Sequence, residues 1–80
     1  MVERFPRDAP LRKVIRAFRE LDFEVVREGN HMSLQRTNDD GTVTPMTIPN
    51  HSCIKSSTLR AICSQTGVAR TDFLDAYERV

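Results

Sequence analysis

The sequence predicts an α+β domain: a helix, a three-stranded antiparallel sheet, a second helix and a short last helix. Three observations carry this. Between positions 11 and 21 the apolar residues recur at the spacing of one helical face. Between positions 23 and 48 they alternate instead, and two turn signals divide the alternation into three runs. Beyond Ser56 the helical spacing returns. Helices flanking a meander of strands cover one face of it, which is an α+β arrangement.

The chain has 80 residues. A single domain of that size buries about 60–65% of the surface of its unfolded chain, enough for one modest core and a surface site. Residues 1–9 read as an N-terminal lead-in and 10–80 as one domain. Pro6 and Pro10 bracket Arg7-Asp8-Ala9 and discourage helix before position 10.

The first helix is expected over Pro10 to Asp22, with Pro10 at its first position, where a missing N–H costs nothing. Leu11, Val14, Ile15, Phe18 and Leu21 form its buried stripe. Arg12, Arg16 and Arg19 share the opposite face, with Lys13 beside them. Most such stripes are solvated faces; the functional reading is a contact for RNA phosphates or for an acidic partner.

Phe23 to Glu28 reads as the first strand, with Phe23 and Val25 pointing one way and Glu24 and Val26 the other. Glu28-Gly29-Asn30 is its connection to the next. Gly and Asn tolerate positive φ, so a tight hairpin is expected. His31 to Thr37 is the second strand. Met32 and Leu34 face the core, which leaves His31, Ser33 and Gln35 on the polar face. Asn38-Asp39-Asp40-Gly41 is a turn. Thr42 to Pro49 is the third strand, and Pro45 marks it as an edge because it has no N–H for a ladder.

The chain then leaves the sheet through Pro49-Asn50-His51-Ser52. Ser56 or Ser57 is expected to cap the second helix, whose buried stripe is Leu59, Ile62 and Cys63 and whose stop is Gly67. Thr71 is expected to cap the last helix, with Phe73, Leu74 and Tyr77 on its apolar side.

Composition excludes several classes. No window approaches the ~18 apolar residues of a membrane span, and the N-terminus has no signal-like apolar stretch. The net charge of +1 argues against coating nucleic acid by bulk charge. Cys53 and Cys63 lack metal or redox spacing and read as free thiols of a reducing cytoplasm, Cys63 as a core residue. There is no glycine-rich phosphate loop, nucleophile elbow or metal-ligand cluster. No cofactor is expected. The polar sheet face lacks the paired aromatics of base-stacking sheets.

One chemistry-bearing residue remains on a rigid element: His31, on the open sheet face beside a turn. Its surroundings carry a resemblance. A helix ending in LDFEVVREGNH, a strand, a turn and then IPNHSCIKSSTLRAICSQTGV resemble the HicA (YcfA-like) family of mRNA interferase toxins of type II toxin–antitoxin systems. The resemblance covers residues 11 to 78. Its most specific parts are Gly29-x-His31 and Ile48-Pro49-x-His51, followed by Lys55 and Thr58-Leu59-Arg60. Asn30 stands where Ser is commoner in the family, and Ser56-Ser57 replace a more usual basic or Gly-containing start to the second helix.

The resemblance implies a fold like that of double-stranded-RNA-binding domains. It implies metal-independent cleavage of mRNA in a stress response, inhibited by a HicB-type antitoxin that forms a hetero-oligomer with the toxin. It makes His31 the catalytic residue. RNA carries its own nucleophile, the 2′-OH, so an imidazole that moves a proton and cations that hold phosphate suffice. Arg27, Asn30, Arg36 and Lys55 are the candidate RNA contacts, and His51 is a candidate accessory residue. Two other readings stand beside this one: a non-catalytic RNA-binding module of the same fold, and an inactive toxin homologue that only binds its partner.

Overall fold

The computed structural model describes residues 4–80; Met1 to Glu3 of the lead-in lie outside the described residues. The elements run β1 (Asp8–Pro10), α1 (Leu11–Glu20), β2 (Glu24–Glu28), β3 (His31–Thr37), β4 (Val43–Pro49), β5 (Cys53–Lys55), α2 (Ser56–Thr66) and α3 (Arg70–Arg79). The helix, three-stranded sheet and two helices stand as the sequence predicts. Strands β2, β3 and β4 form an antiparallel sheet in that order, so β4 with its Pro45 is an edge.

One face of this sheet belongs to the core. Met32, Leu34, Met46 and Ile48 are buried there, together with Val14, Phe18, Leu59, Ile62 and Phe73 from the helices. Phe73 of α3 lies at the centre of an aromatic cluster: its ring centroid is 4.8 Å from Phe18, 5.7 Å from Tyr77 and 5.9 Å from Phe5. The buried stripe of α2 gains Thr66, whose hydroxyl donates to the Ile62 carbonyl at 2.8 Å and so is satisfied inside. The opposite sheet face stays open, with His31, Pro45 and Thr47 exposed.

A second, two-stranded sheet was not legible in the sequence. Asp8, Ala9 and Pro10 pair antiparallel with Lys55, Ile54 and Cys53, and Ala9 and Ile54 enter the core. A three-residue strand carries no periodicity, and its partner lies more than forty residues away. The pairing makes Pro10 the last residue of β1 and the N-cap of α1, not its first helical residue. In the same way β5 runs directly into α2, so Lys55 is the N-cap and neither Ser56 nor Ser57 caps by side chain. Helix α3 starts from Ala69 rather than Thr71.

Helix α1 ends at Glu20, two residues before the expected stop. Asp22 takes a left-handed φ of 72°, and the Phe23 N–H bonds back to the Phe18 carbonyl at 3.1 Å. This is a glycine-type helix stop built on Asp, a residue that tolerates that conformation. Gly67 stops α2 as expected, with φ 75° and the Val68 N–H on the Cys63 carbonyl.

Candidate functional site

The site begins with a β-bulge. Strict alternation would put Arg27 on the same face as Phe23 and Val25, toward the core. In β2 the register instead shifts between Val25 and Arg27: Val25 pairs with Leu34, but Arg27 pairs with Ser33. Val26 is the extra residue and is half-exposed. The shift turns Arg27 onto the open face, beside Ser33 and two positions from His31, the kind of re-aiming that bulges supply.

Arg27, Gly29, Asn30, His31 and Ser33 together line a shallow concavity of about 250 Å³. His31 opens β3 and faces Pro49 across the ladder. The connection that carries it lacks positive φ: among the described residues only Asp22, Gly41 and Gly67 have it. The expected left-handed Gly-Asn turn is therefore replaced by one shaped from outside. The Asn50 side-chain amide donates to the Gly29 carbonyl at 2.8 Å, and the Asn50 N–H donates to the Asn30 carbonyl at 3.2 Å. The Gly29 N–H closes the tip on the His31 carbonyl at 3.2 Å. A Cβ added to Gly29 would meet only the His31 carbonyl, at 3.9 Å.

Asn50 is the residue that sequence reasoning missed. It stood unassigned within Ile48-Pro49-x-His51, and only the three-dimensional pairing shows that it pins the hairpin carrying His31. The signal was present as an Asn just past an edge strand, but nothing local names its partner twenty-one residues earlier.

The other expected site residues lie apart. Arg36 follows His31 by five residues along β3, about 17 Å at ~3.4 Å per residue. There its guanidinium bonds the Asn38 side chain at 3.2 Å and lies 4.8 Å over the Phe23 ring. Lys55 is exposed at the start of α2, opposite Asp8. His51 is exposed with Pro10, Leu11, Arg12, Asn50 and Ser52 around a separate concavity. The concavity about His31 therefore contains one imidazole and one guanidinium, from His31 and Arg27.

Arg12, Arg16 and Arg19 flank a groove of about 460 Å³ between α1 and the sheet, with Ile15, Val25 and Met32 in its lining. Asn50 also lines this groove, so it meets the histidine site at that residue. Lys13 does not join these arginines; its ammonium sits 4.2 Å over the Tyr77 ring.

Neither cysteine lines the histidine concavity. Cys63 is buried in α2, and burial pushes its thiol up to about 11, far from the thiolate a nucleophile needs. Among the described residues no group of three His, Cys, Asp or Glu side chains could hold a metal ion. No helix among them is long and apolar enough to cross a membrane.

Comparison with known proteins yields one family. The model of the HicA toxin of bacterial toxin–antitoxin systems matches residues 11–68, from the first residue of α1 to just past α2. The searches of curated proteins and of solved structures returned no match. The matched span contains α1, the three-stranded sheet and α2, and with them Arg27, His31 and Asn50. A match over well over half the chain, on a fold of the expected order, places this protein in the HicA family of toxins from toxin–antitoxin systems.

Proposed function

We propose that this toxin is a metal-independent endoribonuclease that cleaves mRNA in the cytoplasm through His31. The observation that supports it best is the shared concavity of His31, Arg27 and Ser33 on the open sheet face. A strand laid across that face brings a 2′-OH and its neighbouring phosphate to the imidazole. The 2′-oxygen attacks phosphorus, the 5′-oxygen leaves, and the products are a cyclic phosphate end and a 5′-OH end. His31 handles one of the two protons, and water, which has free access to an exposed histidine, handles the other. Arg27 offers its planar fork to the phosphate as charge builds there. Asn50 is a positioning residue that acts through the Gly29 and Asn30 carbonyls.

The family implies an antitoxin partner. In this reading a HicB-type antitoxin inhibits by covering the histidine concavity, and it carries acidic groups to meet Arg27.

The test is cleavage of RNA by purified protein in the presence of EDTA, wild type against His31→Ala. The wild type should cut, and the variant should lose about 10²–10⁴-fold in rate while keeping its circular dichroism spectrum and melting point. Cutting by a folded His31→Ala protein at the wild-type rate would overturn the assignment, and loss of wild-type cutting in EDTA would overturn metal independence.

A further inference from the structure

Arg4, Arg7, Arg60 and Arg70 line one open concavity of about 420 Å³, with Phe5 and Ser56. All four arginines are exposed, and among the described residues no carboxylate lines the space. The whole chain has a net charge of +1, so four guanidinium groups at one place are a strong local excess. Among the described residues no acidic side chain pairs with them, and the one ion pair joins Arg79 to Glu20 at 3.8 Å.

The convergence is a product of the fold. Pairing of β1 with β5 brings the residues just before Asp8 to the start of α2, since Asp8 faces Lys55. Packing of the Phe5 ring against Phe73, tilted by 46° with 5.9 Å between centroids, holds the N-terminal segment against α3. Arg60 follows Ser56 by one helical turn, and Arg70 opens α3. Like charges gathered this way repel, so the arrangement is worth most with an anion among them. Arg4, Arg7 and Arg70 also fall outside the span matched by the family, residues 11–68. The site is thus made mainly by this chain's own flanks.

We propose that this concavity binds the phosphate backbone of single-stranded RNA, as a second contact separate from the histidine site. The proposal rests on the reading above for the identity of the polyanion. Guanidinium forks suit phosphate oxygens, and the half-buried Phe5 ring adds the aromatic surface that strand-binding grooves pair with basic residues. Ser56 adds a hydroxyl donor. The site adds affinity and holds a flanking stretch of the strand; it takes no part in the bond cleavage.

The experiment uses the full chain and a short fluorescein-labelled single-stranded RNA with 2′-O-methyl sugars, which lacks the nucleophile and cannot be cut. Affinity is read by fluorescence anisotropy across a salt series. Arg60→Gln with Arg70→Gln should weaken binding on the order of tenfold, the worth of a lost charge-assisted contact. It should also reduce the slope of log affinity against log salt by about 1.4, from ~0.7 per phosphate contact on a single strand. Arg4→Gln with Arg7→Gln should do the same and leaves both helices untouched, so the test survives any loss of stability in the first pair.

Arg79→Gln, which removes one charge outside this concavity, should leave the slope as in wild type. Slopes unchanged in both arginine pairs overturn the proposal, even if His31-dependent cutting of ordinary RNA is intact. Slopes that fall in a protein that never cuts RNA uphold this site and sink the nuclease reading instead. If inorganic tripolyphosphate raises the wild-type melting point but not that of Arg60→Gln with Arg70→Gln, while the RNA slope stays constant, the site takes a small free anion and RNA is excluded.

Discussion

The two turns of the three-stranded sheet are built on opposite principles. The turn from Asn38 to Thr42 holds itself. Asp40 accepts bonds from the Thr42 hydroxyl at 2.6 Å and the Thr42 N–H at 2.9 Å, Asn38 bonds Thr42 and Thr44, and Gly41 takes φ 88°. The turn at Gly29 and Asn30 has little of its own beyond one N–H bond to the His31 carbonyl, and is fixed by Asn50 from another strand end. A turn whose polar groups satisfy one another presents a closed surface. A turn held from behind leaves its outer side free, and that is where His31 and Arg27 meet.

The largest test of the contrast asks whether both turns depend on one core. Phe73→Ala should cost about 3–5 kcal/mol, a large share of the 5–15 kcal/mol typical of a whole domain. Chemical denaturation should then show the sheet and helices lost in one transition at a much lower midpoint. A surviving sheet signal after the helices melt would separate the two ends energetically.

Next in size is the bulge. It puts Arg27 on the open face beside Ser33, and Arg27→Ala removes what it presents there. RNA cleavage should fall roughly 10- to 100-fold, the worth of a charged phosphate contact, with the self-held turn unaffected. Deleting Val26 takes out only the extra residue, so Arg27 follows Val25 directly, still faces Ser33, and cleavage should stay near the wild-type rate. A fall as large as that of Arg27→Ala would mean that the bulge matters by itself and not through that side chain.

A pair of smaller changes sets the turns directly against each other. Gly41→Ala puts a Cβ into a left-handed position and should cost about 1–2 kcal/mol of stability with cleavage unchanged. Asn50→Ala removes one side-chain hydrogen bond, about 1 kcal/mol, yet should lower cleavage as well, because the hairpin carrying His31 loosens. Thermal melts and single-turnover cleavage read the two effects separately. If Asn50→Ala melts lower but cuts at the wild-type rate, its role is structural only.

The smallest effect concerns acid. The Thr42 hydroxyl, and then the Thr42 N–H, hold the Asp40 carboxyl below its ordinary value of 3.8. The carboxylate's contribution is therefore complete above that value and disappears as pH falls through the lower folded value. Asp40→Asn should lower the melting point slightly near neutral pH, and the gap from wild type should close in strong acid. A constant gap across the acid range would mean that the charge contributes nothing.

Much of this fold was legible because short-range rules governed it. The stripe of α1, the alternation of β3 and β4, the edge placement of Pro45 and the stop at Gly67 each follow from spacing or from one residue's backbone chemistry. Burial of Met32 and Leu34 leaves His31 on the open face by parity alone. Parity failed for Arg27, because a bulge is a property of a strand pair and not of a strand. It also separates Arg36 from His31: Arg36 has the charge for a phosphate but shares the face of Met32 and Leu34 and lies at the far end of β3 over Phe23.

The sequence by itself determined the order of the three helices and the three-stranded sheet, their core faces, the family and the histidine that stands out from the sheet. These rest on periodicity and on motifs contained within a few residues. Only the tertiary structure decided which groups share a site: the turn of Arg27 toward His31, the hold of Asn50 on Gly29, the strand formed by Asp8 to Pro10, and the meeting of four arginines from three separate segments. Each depends on a partner distant in the chain. Such a pairing is set by the packing of the whole core, and no local pattern encodes it.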